Sequence, residues 1–159
     1  MPARWLAPLI ALALPAVAAA QTSPPAQTPQ ALFEQAIVDD AGTTPTIRTL
    51  LQTDAGFVAP MFADLTGDAR VDAIVQARMP GAAGTVAVYA LSTDGTSDGH
   101  LRTVFRSQAL YRATVAVASG ALVVTVPRWH SGDDVCCPAA RERRTYAWNA
   151  RTHRLDRQR

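Results

Sequence analysis

From about residue 47 onward, apolar and polar positions alternate along most of the chain, the signature of strands with one buried face. In Tyr111–Ala118, Tyr111, Ala113, Val115 and Val117 alternate with Arg112 and Thr114. Ser119-Gly120 supplies a two-residue hairpin turn, and Leu122, Val124 and Val126 continue the apolar face in Ala121–Val126. Val71–Ala77 and Thr85–Leu91 are apolar on both faces, as central strands are. Phe57–Phe62, Leu101–Arg106 and Arg144–Trp148 complete the set. The last two are Arg-rich on at least one face and are expected at sheet edges, where charge discourages further pairing. Upstream the period lengthens. Leu32, Phe33, Ala36 and Ile37 form one helical stripe, opened by Thr28-Pro29 and closed by Asp40-Ala41-Gly42. The expectation is an α+β fold, mainly β: an antiparallel sheet of about seven strands with one N-terminal helix packed on it, residues 30–159 forming a single domain.

The first twenty residues read differently. Arg4 precedes an apolar run, Leu6 to Leu14, that is too short to span a bilayer, and Pro15 and Ala18-Ala19-Ala20 follow it. Residues 1–20 are therefore expected to be a cleaved signal peptide with Gln21 as the new terminus, and the Pro-rich stretch 21–29 a flexible leader. No Cys follows the apolar run to take a lipid anchor. A periplasmic or secreted monomer that does not span the membrane is expected.

Composition narrows the chemistry. All 15 basic residues among the 159 are Arg, which excludes a P-loop lysine, a Schiff base or a Ser–Lys dyad. Charge is split: residues 54–98 hold six Asp against two Arg, and residues 141–159 hold seven Arg against one Glu and one Asp. Either the basic end is a solvated edge and a frayed terminus, or it is a patch for an anionic envelope surface or polysaccharide. Nucleic acid is not expected, because no aromatic residues interleave the Arg of residues 149–159.

Two stretches could carry chemistry. In Asp64-Leu65-Thr66-Gly67-Asp68-Ala69-Arg70-Val71-Asp72, oxygen side chains recur at Asp64, Thr66, Asp68 and Asp72 just before a strand. That spacing turns oxygens toward one centre, as weak calcium sites require, although Ala69 stands where such loops want Gly and Thr66 adds no charge. The alternative is a turn whose side chains bond its own backbone amides. No other cofactor is expected. Cys136 and Cys137 are adjacent and alone, and export would favour a vicinal disulfide of structural role. Neighbouring Cα atoms lie closer than ordinary disulfides want, so such a ring is strained. Redox chemistry, intermolecular pairing, or soft-metal binding by the two thiolates with His130 are the alternatives. His100, His130 and His153 lie in separate turn regions, no hydrolase, zinc-protease or dinucleotide motif is present, and Asp133-Asp134 beside His130 reads as turn residues. The chain is expected not to be an enzyme.

The acidic stretch resembles the Asp-rich loops of FG-GAP and VCBS repeats, with Gly84–Tyr89 in the place of the next strand. Only one copy is present, which excludes a propeller built from this chain. Together with Cys136-Cys137-Pro138 and Arg144-Thr145-Tyr146-Ala147-Trp148, it resembles the LppP/LprE-like family of bacterial envelope proteins, over about residues 60–155. Many members are lipid-anchored, and that tether does not carry over. The resemblance implies the fold and the envelope compartment and adds little about activity. The expectation from the chain as a whole is an exported non-catalytic envelope protein acting as a binding or structural module. A calcium-dependent adhesion-like module and a thiol-redox or metal-handling protein are the alternatives.

Overall fold

A computed structural model describes residues 28–94, 99–134 and 136–159; the expected signal peptide and all but the end of the leader lie outside these. Helix α1 spans Pro29–Asp39, with the Thr28 hydroxyl accepting from the Ala31 amide at 3.2 Å and Pro at the first turn. Phe33 and Ile37 bury its apolar stripe.

A second helix, α2 (Pro45–Gln52), corrects the expectation of one. The stretch from Ile47 looked strand-like, but Thr44-Pro45 repeats the Thr-Pro start of α1, and Ile47, Leu50 and Leu51 bury one helical face.

Among the described residues eight strands follow, in two antiparallel sheets rather than one. The first holds β1 (Phe57–Ala63), β2 (Asp72–Met79), β3 (Gly84–Ser92) and β4 (Arg102–Ser107) in sequence order. The second holds β5 (Thr114–Ala118), β6 (Ala121–Arg128), β7 (Ala140–Asn149) and β8 (Arg154–Arg157), also in order. The chain changes sheets at residues 108–113. Ala109 and Arg112 take left-handed φ of 58° and 52°, while Leu110 and Arg112 donate amide hydrogen bonds back to Val86 and Ala83. Such a kinked corner lets one chain serve two packed sheets. The Ser119-Gly120 hairpin forms as expected, both residues having positive φ.

Alternation along β2 and β3 explains the layers. Val75, Ala77, Ala87, Tyr89 and Leu91 pack under the helices, whereas Ile74, Val88 and Ala90 meet Leu122, Val124 and Leu155 of the second sheet. The result is three layers, with helices, the doubly buried first sheet and the second sheet in turn. Strands β2 and β3 are central, as expected. Two edge expectations change. Arg144–Trp148 belongs to β7, an interior strand, and the basic end of the chain is not frayed but forms the edge strand β8.

Candidate functional site

The acidic loop joins β1 to β2, and each of its carboxylates accepts hydrogen bonds from within the loop. Asp64 Oδ1 accepts from the Gly67 amide at 2.6 Å, and its Oδ2 from the Ala69 amide at 3.1 Å. Asp68 Oδ1 accepts from the Arg70 amide at 2.9 Å and the Thr66 hydroxyl at 3.1 Å. Asp72 is buried, and its Oδ2 accepts from the Leu65 and Thr66 amides at 2.8 and 3.1 Å. Ala69 holds the left-handed φ of 63° that the sequence pattern reserves for Gly. The four candidate oxygen residues thus lie in one turn. Among the described residues, no group of three or more His, Cys, Asp or Glu side chains converges as a metal site.

Cys136 and Cys137 lie on the β6–β7 loop as exposed free thiols, with no bond between them. Their side chains share a hydrogen bond, which pushes the Cys137 thiol up from its ordinary pKa; the Arg112 charge nearby works the other way. Asp133 fastens the loop: its Oδ2 accepts from the His130 amide at 2.7 Å and the Ala139 amide at 2.9 Å. Those two bonds, Ala139's first, hold its carboxyl below the usual range. His130 Nδ1 stands 4.0 Å from the same oxygen, and His153 pairs with Asp94 at 3.2 Å, so these two histidines serve different loops.

The basic end forms a built surface. Glu142 on β7 accepts from Arg144 at 2.8 Å, from Arg157 at 3.0 Å and from Arg128. The Arg144 and then the Arg128 hydrogen bonds hold its carboxyl down to about 2, so it stays ionised through ordinary pH. Beside this hub an open groove of about 790 Å³ is lined by Arg143, Thr145, Arg157, Gln158 and Arg159. The Gln158 amide donates to the Thr145 carbonyl at 2.8 Å, which keeps the chain end alongside β7. No acidic side chain lines the groove, and among the described residues neither Arg143 nor Arg159 has an acidic partner.

One feature had no counterpart in the sequence reading. An apolar cleft of about 520 Å³ opens between α2 and the far end of the first sheet, with Ile47, Leu50, Met79, Val86 and Leu110 in its walls and Thr46 among its polar groups. Its signal was Thr44-Pro45, which marks α2 and hence the helical face that lines it.

No family model matches the chain, and no curated protein or solved structure is significantly similar to it.

Proposed function

We propose that the chain is an exported, non-catalytic binding module of the bacterial envelope, an LppP/LprE-like protein that holds an anionic surface polysaccharide in the Arg143–Arg157–Arg159 groove. The observation that carries this reading is a groove lined by three Arg residues and no acidic residue. Guanidinium is planar, permanently charged and shaped for two-point hydrogen bonding to carboxylate or phosphate, and an all-Arg basic set suits that task better than Lys would. Thr145 and Gln158 add neutral donors and acceptors of the kind that sugar hydroxyls use. None of the lining residues is aromatic, so bases have no stacking platform there.

The test is a titration of the mature chain against a fluorescent uronic-acid polysaccharide, with neutral dextran of equal length as control. Binding to the acidic polymer alone, weakening steeply as salt is raised, is the expected result. Equal binding to dextran, or none to the acidic polymer at low salt, overturns the reading.

A further inference from the structure

We propose that Cys136 and Cys137 form a two-coordinate Cu(I) site on the β6–β7 loop. Both thiols are exposed, and hydrogen bonds anchor the loop on either side of them. The Cys137 amide donates to the Asp134 carbonyl at 2.9 Å, closing a turn, and the Asp133 carboxylate ties the His130 amide before the pair to the Ala139 amide after it. Two neighbouring thiols, one interacting with the other, are thus presented open to solvent.

The ion follows from the ligand set. Thiolates are soft donors that suit Cu(I), zinc and iron–sulfur clusters. Zinc sites are almost always four-coordinate, and among the described residues no third and fourth His, Cys, Asp or Glu joins the pair. Cu(I) accepts two thiolates with nothing further. The peptide bonds of the described residues are all trans, which sets neighbouring Cα atoms about 3.8 Å apart, short of the 4.4–6.8 Å usual for a disulfide. An ion placed between the sulfurs spreads them, a geometry open to adjacent cysteines where a direct bond is cramped.

The charges balance as well. Two S–H bonds break, two S–Cu bonds form, both protons go to solvent, and copper enters and stays as Cu(I). The bis-thiolate complex carries one net negative charge, which the nearby Arg112 guanidinium offsets. Because protons are displaced, apparent affinity rises with pH.

The test uses the mature chain, reduced and then freed of reductant under argon, titrated with Cu(I) against the chromophoric chelator bicinchoninate. One Cu(I) per chain is expected, tightening from pH 6 to pH 8. Cys136→Ser and Cys137→Ser each weaken it by about a hundredfold or more, since a single thiolate cannot chelate. His130→Ala leaves it unchanged, and thermal unfolding verifies that every variant folds. Copper left with the chelator, retained by the double Cys→Ser variant, or bound only as a cross-linked dimer overturns the proposal. Zinc held as tightly as copper overturns the choice of ion.

Discussion

Asp72 is the residue on which the acidic loop turns. It is 2% exposed at the start of β2, and one oxygen serves the amides of both Leu65 and Thr66. Removing it strands two donors in or near the core, and each buried donor left unmade costs about 1–3 kcal/mol. Asp72→Ala is therefore expected to lower stability by about 2–4 kcal/mol in urea unfolding, and the more exposed Asp68→Ala by less than about 1 kcal/mol. Equal losses at the two positions would contradict this placement. Calcium entering the same turn must draw the Asp64 oxygens away from the Gly67 and Ala69 amides. Any affinity is expected to be no tighter than about 10⁻⁴ M, and micromolar binding by calorimetry would mean the loop opens far more readily than its hydrogen bonds imply. The sequence carried the oxygen spacing of this loop in plain view. It did not carry the direction in which each carboxylate points, because the same spacing serves an inward cation or inward amides.

At the scale of elements, the helices are tied to the first sheet by one hydrogen-bond network, buried at Thr43 and Tyr89. The Tyr89 hydroxyl accepts from the Thr43 hydroxyl at 3.2 Å and donates to Gln108 Oε1 at 3.1 Å. Gln108 also accepts from the Thr44 amide at 2.8 Å and donates to the Gly42 carbonyl at 2.9 Å. Arg106 pairs with Asp40 at 3.3 Å beside Gly42, where a Cβ would overlap the guanidinium. Burial raises the Tyr89 phenol above its ordinary value of 10.0. A raised folded-state pKa leaves stability intact below pH 10 and removes it as pH climbs through the folded value. Tyr89→Phe is expected to cost about 1–2 kcal/mol at pH 7 and to flatten the alkaline loss of stability. An unchanged alkaline limb in the variant would assign that loss to another group.

This network joins residues tens of positions apart, so no local pattern announces it. Local patterns did announce α1, the Ser119-Gly120 hairpin and the doubly apolar β2 and β3. They misplaced β7, because its Arg residues read as an edge. In the folded chain Arg144 is drawn in toward Glu142 while Tyr146 and Trp148 pack against the second core. Strand β8 was missed for another reason: only Leu155 of its four residues is buried, too short a pattern to stand out.

For the whole molecule, alternation told which residues face inward but not how many sheets share the inside. A strand apolar on both faces fits between a helix and a second sheet as well as between two helices, and only the corner at Ala109 and Arg112 separates the two sheets. Past that corner, the outer face of the second sheet is left to solvent. Thr114, Ala116 and Arg143 are exposed there, and the basic chain end lies along β7. The acidic loop joins β1 to β2 on the other sheet, with its Leu65 packed into the core between the two sheets.

Charge reversal in the groove tests this account most directly. Arg143 and Arg159 make no ion pair among the described residues, so replacing both leaves the Glu142 hub of Arg128, Arg144 and Arg157 in place. Fluorescence anisotropy of a labelled uronic-acid polysaccharide would be followed with the wild-type chain and with Arg143→Glu/Arg159→Glu, at about 50 and about 300 mM salt. The account predicts at least a roughly tenfold loss of affinity in the variant at low salt, a difference that shrinks at high salt, with the unfolding temperature unchanged. Wild-type affinity in the folded variant would contradict it.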